Sequence, residues 1–257
     1  MHNIKRFWTK YPPLLALIGL TLANNGCSRH MVPSQTEYRE FKIDNTIPAD
    51  TAFLAYYAPY KRQLEMEMGR IIGRSAMRLT KPGTAQETLL GNFFAEALLT
   101  EGRKTNPDID FSVGTKGGLR TELPKGDITV GDLFELMPFE NELVVLDLSG
   151  ESIKELAQFI AKTGGQPVAG LRMVIDDGQP QNIQIGGQPF DKSRTYRILT
   201  YDYLANGGDN IRGLDRPLKR INLRKKVRET LIEYIQQHTQ DNKELTAQLD
   251  GRITFDE

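Results

Sequence analysis

Two glycine-bearing stretches, at residues 114–141 and 200–209, carry the residue types that could form a binding site. Glycines crowd beside an arginine where the backbone must turn sharply and approach another group closely. Each stretch ends a strand-like apolar run and then offers an aromatic and a polar residue. Together they resemble two walls of one pocket, although either stretch alone is also compatible with a surface hairpin. The residues concerned are Arg120, Phe139, Asn141, Tyr203 and Asp209.

The histidines argue against a metal centre in this chain. Only three are present, His2, His30 and His238, and they are far apart in the sequence. A two-metal phosphoesterase site needs several imidazole and carboxylate ligands around ions ~3.5–4 Å apart. We therefore expect neither a metal site nor a catalytic residue in this chain.

Composition limits the remaining possibilities. The chain has 257 residues, with 33 Lys plus Arg and 33 Asp plus Glu. A nucleic-acid-binding protein normally shows a basic excess, so we expect no nucleic-acid partner. The single cysteine, Cys27, excludes an intramolecular disulfide framework.

Four motifs occur in an order that is specific to one family. They are accompanied by an E-x-x-L-G-N segment at Glu87–Asn92. Together they resemble the C-terminal, substrate-binding domain of 5′-nucleotidases and related periplasmic nucleotide hydrolases, over residues 64–255. The four motifs are G-G-x-R at Gly117–Arg120, G-D-I-T-x-G-D at Gly126–Asp132, P-F-x-N at Pro138–Asn141 and an aromatic residue followed by G-G-D at Tyr203–Asp209.

The resemblance assigns the binding roles. It implies that Phe139 and Tyr203 sandwich a nucleobase, where stacking contributes ~1–3 kcal/mol per base. Asp209 matches the acid that accepts hydrogen bonds from the ribose hydroxyls, since a carboxylate offers two acceptor oxygens and no competing donor. Arg120 matches an arginine that reaches toward ribose and phosphate, and its planar fork of donors suits an oxyanion. Asn141 matches an amide that contacts the nucleoside.

A sixth position and several departures complete the comparison with the family. Gly170 matches a glycine that borders the base pocket. Thr115 stands where the family usually has Asn, and Tyr203 where it more often has Phe. Some members carry two arginines at positions that are Thr80 and Thr84 here. Contacts to the sugar and base are therefore better supported than contacts to phosphate.

The N-terminus predicts export. Lys5 and Arg6 precede an apolar run at 14–23, which is too short to span a bilayer, for which ~20 apolar residues are needed. Cys27 stands where a bacterial lipoprotein carries its lipidated cysteine, although Asn24 replaces the usual Leu. We expect a signal peptide at 1–27, a tether at 28–46 and an envelope protein anchored to a membrane by its lipid. A cleaved signal with an incidental cysteine is the alternative.

Periodicity predicts an α+β fold, with a mixed β-sheet and packed helices in a single domain at 47–257. A capping box at Thr84–Glu87 predicts that a helix starts there, with a buried stripe of Leu90, Phe93, Phe94, Ala97 and Leu98. Asp177-Gly178 predicts a hairpin turn. Asn222 is expected to cap a last helix, with residues 224–226 in its first turn, either as a solvated surface or as a docking patch for an acidic partner.

The resemblance implies half of an enzyme, because the family carries its metals in an N-terminal domain that this sequence lacks. The leading hypothesis is the nucleotide-binding half of a split 5′-nucleotidase, inactive alone. It would bind a nucleoside 5′-phosphate or nucleoside and act with a separate metallophosphoesterase that holds the divalent metals. The alternatives are a non-catalytic nucleotide- or nucleoside-binding lipoprotein for scavenging and a relic scaffold.

Overall fold

The computed structural model of the chain describes residues 37–44, 46–83 and 86–256. The chain divides into two compact units, at 1–50 and 51–257. The predicted signal peptide and Cys27 lie outside the described residues. In the first unit, residues 37–44 and 46–50 form neither helix nor strand, and Asp44 accepts hydrogen bonds from the backbone and hydroxyl of Thr46 at 2.9 and 2.6 Å.

The second unit is built on a five-stranded mixed sheet. Its strands are β2 (Phe111–Val113), β4 (Glu142–Ser149), β5 (Val168–Ala169), β9 (Thr195–Tyr201) and β10 (Lys219–Lys226). They lie in the order β10-β4-β9-β2-β5. Strand β9 runs parallel to β2 and antiparallel to β4, with Phe111 paired to Ile198 and Ser112 to Leu199. Strand β4 is mostly apolar, with Val144 and Val145 as its β-branched residues, and five of its eight residues are buried.

Two smaller sheets accompany this one along the chain. Their strands are β1 (Ile71–Ser75), β3 (Gly126–Thr129), β6 (Leu171–Asp176), β7 (Gln179–Ile185), β8 (Gln188–Pro189) and β11 (Ile253–Phe255). Four of these strands form a sheet with the order β11-β6-β7-β8, and β1 pairs with β3 in an antiparallel ribbon. The predicted hairpin is confirmed: β6 and β7 are joined at Asp177-Gly178, and both residues have positive φ, as this tight turn requires.

Helices pack on these sheets, so the predicted α+β class is confirmed. The helices are α1 (Thr51–Met68), α2 (Leu89–Thr105), α3 (Val130–Leu136), α4 (Gly150–Lys162), α5 (Asp202–Ala205) and α6 (Val227–Gln240), with 3₁₀ turns at Lys116–Gly118 and Gly208–Asn210. The apolar stripe predicted from the sequence lies on α2, where it is buried throughout and forms much of the core beneath β2 and β9. No helix among the described residues is long and apolar enough to cross a membrane.

The predicted start of α2 is wrong by one turn. The helix begins at Leu89, and Thr88 is its N-cap, accepting a hydrogen bond from the Gly91 amide at 2.9 Å. Thr84 lies outside the described residues, and Glu87 lies one residue before the N-cap. Its carboxylate accepts hydrogen bonds from the amides of Asp250 and Gly251 at 2.8 and 3.0 Å. The Glu87 carboxylate therefore binds backbone amides that are distant in sequence.

The prediction for residues 222–226 is also wrong. These residues belong to β10, which pairs with β4, and α6 begins only at Val227. The basic residues are not in a helical first turn: Lys225 forms an ion pair with Glu233 at 2.5 Å, and Lys226 with Glu142 at 3.1 Å. Arg224 adopts a positive φ of 53° where the register of the strand shifts. Strand pairing with β4 decided the conformation of this segment.

Candidate functional site

The two glycine-bearing stretches meet at a cavity of about 270 Å³. They do so because β2 and β9 run parallel, so their carboxyl ends lie side by side and release both loops at one edge of the sheet. Five of the six predicted binding residues line this cavity. Its lining is Gly117, Gly118, Arg120, Phe139, Asn141, Tyr201, Tyr203 and Asp209.

Two glycines permit the close packing of this cavity. A Cβ on Gly118 would lie 2.9 Å from the hydroxyl of Tyr201, and a Cβ on Gly208 would lie 2.4 Å from the ring of Tyr203. Real Cβ atoms do not approach other atoms so closely, so each loop needs a residue without a side chain at that point. The glycine pairs seen in the sequence thus have a packing explanation.

The two aromatic side chains that line the cavity come from different elements. Tyr203 lies in α5 and Phe139 follows α3, and their exposed fractions are 47% and 38%. The start of α3 is fixed by a capping box, in which Asp132 accepts hydrogen bonds from the amide and hydroxyl of Thr129, both at 2.7 Å. The G-D-I-T-x-G-D motif is therefore a helix start that positions the Phe139 segment.

Arg228, which sequence analysis missed, binds the segment at residues 137–140, called the Phe139 segment. Its guanidinium donates to the carbonyls of Met137 and Phe139 at 3.0 and 3.2 Å and pairs with the carboxylate of Glu140. It also lies 3.8 Å from the centroid of the Phe134 ring. The charge of Arg228 is buried, so these contacts offset its desolvation. No local sequence pattern identifies this role.

Asp209 is held at both carboxylate oxygens. The Tyr203 hydroxyl donates to Oδ1 at 3.0 Å, and the Thr115 hydroxyl donates to Oδ2 at 2.5 Å. A third hydroxyl, that of Tyr201, lies 3.3 Å from Thr115 Oγ1. Burial raises the pKa of Tyr201 to about 12, so it stays a neutral hydroxyl at physiological pH. Two hydroxyls therefore contact the carboxylate, and a third contacts one of those two.

Arg120 is the cation that lines the cavity. Its backbone amide donates to the Leu136 carbonyl at 2.8 Å, while its exposed guanidinium has no hydrogen bond or ion pair among the described residues. The neighbouring cations are engaged elsewhere. Lys116 donates to the Gly164 carbonyl at 2.9 Å, Arg78 pairs with Glu122, and Lys81 donates to the Lys116 carbonyl at 3.3 Å. Burial also lowers the pKa of Lys116.

Gly170 is not brought to this cavity. It lies between β5 and β6 and lines a separate cavity of about 250 Å³ with Arg172 and Arg252. Its φ is 84°, and a Cβ there would lie 2.6 Å from the Asp110 carbonyl. The structure thus gives Gly170 a backbone-packing role. A larger cavity, of about 560 Å³ and near Phe93, contains none of the predicted residues.

Metal ligands can be assessed only within the part of the chain that the structure describes. There, no group of three or more His, Cys, Asp or Glu side chains is arranged to hold a metal ion.

Comparison with known proteins places the site in a family context. The family model for the 5′-nucleotidase C-terminal domain matches residues 69–216. Protein UshA of Yersinia enterocolitica is 27% identical over 230 residues, which are 82% of this chain and 41% of that protein. Silent protein UshA(0) of Salmonella typhimurium is 30% identical over 189 residues, which are 70% of this chain and 32% of that protein.

A solved structure agrees with these matches. The 5′-nucleotidase precursor from Thermus thermophilus superposes with a TM-score of 0.68 at 27% identity, covering 79% of this chain and 42% of that one. The chain therefore spans less than half the length of each of these relatives.

The packing of Gly170 leads to a stability prediction. We expect Gly170→Ala to lower the free energy of unfolding by about 2–4 kcal/mol, because it combines a positive-φ strain of roughly 1–2 kcal/mol with a backbone overlap. Gly178→Ala is the matched control, since its φ is 70° but nothing lies within 4 Å of the added Cβ. Urea unfolding of both variants is the measurement. Equal losses would contradict the packing role.

Proposed function

Because the chain belongs to the 5′-nucleotidase C-terminal domain family, we propose that it binds nucleosides and nucleoside 5′-phosphates in the cavity between Phe139 and Tyr203. The observation that carries this proposal is the convergence of two distant stretches on one cavity. That cavity offers two exposed rings, one unpaired guanidinium among the described residues and one oriented carboxylate.

Each group suits one part of a nucleotide. A nucleobase presents two π faces, and the exposed rings of Phe139 and Tyr203 can stack on it. Asp209 accepts hydrogen bonds from the ribose hydroxyls, since a carboxylate is an acceptor only. Arg120 binds the 5′-phosphate through its planar fork of donors. Asn141 has an amide that can donate and accept, and it contacts the nucleoside between these groups.

We propose that a second protein takes part in phosphoester hydrolysis. In this proposal a separate di-metal phosphoesterase supplies the metal-activated water, and this chain holds the base and ribose so that the phosphate reaches those metals. Such positioning has catalytic value because it converts a bimolecular encounter into an oriented one. The nucleotide-holding part of this proposal rests on the match of residues 69–216 to the 5′-nucleotidase C-terminal domain and on the cavity that residues of this range line.

The first prediction concerns binding. We expect adenosine and AMP to bind the purified protein, and Phe139→Ala to weaken both by roughly tenfold, because one stacking face is lost. Phe255→Ala is the control, since Phe255 is 47% exposed but does not line the cavity. Isothermal titration calorimetry gives the affinities, with ligand-observed NMR where binding is weak.

The outcomes separate the candidate functions. Binding that is weakened in Phe139→Ala but unchanged in Phe255→Ala supports the proposed site. Adenosine binding as tightly as AMP would favour the non-catalytic nucleoside-binding lipoprotein, since Arg120 is the one cation lining the cavity among the residues that the structure describes. Absence of binding to either ligand would contradict the proposal.

The second prediction concerns catalysis. We expect the purified chain to release no phosphate from AMP above background in the presence of Mg²⁺ or Mn²⁺, because the attacking water would be activated by the partner. Phosphate release is measured with a colorimetric assay across the gel-filtration peak. Metal-dependent hydrolysis that follows the protein peak, and that Asp209→Asn abolishes, would show that the chain is an enzyme by itself.

The third prediction concerns the N-terminal segment, which lies outside the described residues. We propose that the protein is exported and anchored to a membrane through lipid on Cys27. A single myristoyl chain gives only marginal membrane binding, so stable anchoring takes a second signal, such as a further acyl chain. We expect Cys27→Ser to move the protein from the membrane pellet to the soluble fraction of cells that express it. Retention of the variant in the pellet, after a carbonate wash, would contradict lipid anchoring.

A further inference from the structure

We propose that Thr115 and the hydroxyl of Tyr203 are positioning residues that orient the Asp209 carboxylate toward a vicinal diol, so that the cavity selects ribosides. This inference rests on the proposed nucleoside site. It concerns two residues from different loops, Thr115 before the first glycine turn and Tyr203 before the second. In the structure both residues donate a hydrogen bond to the same side chain, that of Asp209.

The Tyr203 hydroxyl contacts both the backbone and the side chain of Asp209. Asp209 has a φ of 53°, a left-handed conformation that costs roughly 1 kcal/mol or more in a residue other than glycine. The Tyr203 hydroxyl accepts a hydrogen bond from the Asp209 amide at 3.2 Å and donates its own hydrogen to Oδ1 at 3.0 Å. One hydroxyl therefore stabilises both the unusual backbone and one carboxylate oxygen.

The second contact comes from the other loop. Thr115 is 2% exposed and precedes the glycine turn, and its hydroxyl donates to Asp209 Oδ2 at 2.5 Å. A threonine has one hydroxyl hydrogen, so in the contact between Thr115 and Tyr201 the tyrosine is the donor. Tyr201 can fill this role because it remains protonated. The order of donors is thus Tyr201 to Thr115 to Asp209.

This arrangement leaves the carboxylate ready for a diol. Each carboxylate oxygen has about two acceptor positions, and the protein occupies one on each. The two remaining positions can accept the two hydroxyl hydrogens of a ribose. Rotation of the carboxylate would break one of the two existing bonds, so its orientation is set before the ligand arrives. Preorganisation of this kind reduces the cost of binding.

The test compares two ligands that differ only in the diol, adenosine and 2′,3′-dideoxyadenosine. We expect the affinity for adenosine divided by the affinity for dideoxyadenosine to fall by about tenfold in Tyr203→Phe. This variant keeps the ring but loses a hydrogen bond to a charged group. Thr115→Val, which keeps the shape of the side chain, is expected to do the same. Thr115→Ser is expected to restore the ratio, since it restores the hydroxyl. Asp209→Asn removes the carboxylate itself, so it is expected to give the lowest ratio of adenosine affinity to dideoxyadenosine affinity.

Each outcome decides something different. Equal affinity of the unmodified protein for the two ligands would overturn the selection of ribosides while leaving the proposed nucleoside site in place. An equal loss of both ligands in Tyr203→Phe would show a structural role for the hydroxyl and overturn the positioning role. If neither ligand binds the unmodified protein, the proposed function and this inference fail together. Thermal melts check folding, and if Thr115→Val does not fold, Tyr203→Phe, at a half-exposed position, decides alone.

Discussion

The parallel pairing of β2 with β9 is the constraint on which the site depends. Parallel neighbours end at the same edge of a sheet, so Thr115 and Tyr203 leave their strands side by side although they are distant in sequence. Open sheets commonly bind ligands at the carboxyl ends of strands for this reason. The antiparallel partner β4 has the opposite direction, and its start at Glu142 lies at the same edge. The Phe139 segment that precedes β4 therefore closes the third side of the cavity.

The floor of the site is buried and its rim is exposed. Phe94 of α2 meets Tyr201 edge to face, with ring centroids 6.4 Å apart, and both side chains are fully buried. Above this floor, the rings of Phe139 and Tyr203 remain substantially exposed. Buried aromatic packing fixes the position of the Tyr201 hydroxyl, and hydroxyl contacts then fix Asp209. Hydrogen bonds thus connect the buried Tyr201 to Asp209 at the surface of the cavity.

The sequence by itself determined the local features. The apolar stripe of α2 appears in the sequence as a helical period, and in the structure that stripe is buried. The Asp177-Gly178 pair determined its hairpin through backbone conformation alone. The motifs also identified the cavity-lining residues, since each motif combines a turn with the side chain that the turn presents. These residues are Arg120, Phe139, Asn141, Tyr203 and Asp209.

Only the tertiary structure decided the features that depend on partners distant in sequence. Glu87 is bonded to the amides of residues 250 and 251, while Thr88 caps α2. Strand β4 pairs with Asn222 and Lys226, so the segment between them belongs to a strand. Arg228 supports the Phe139 segment from another helix, and Gly170 packs on Asp110, away from the cavity. The sequence shows which functional groups each loop contains. The distances among the three hydroxyls and the Asp209 carboxylate depend on the pairing of β2 with β9, which brings the two loops together. A hydrogen bond depends on position within a few tenths of an ångström, which local propensity does not encode.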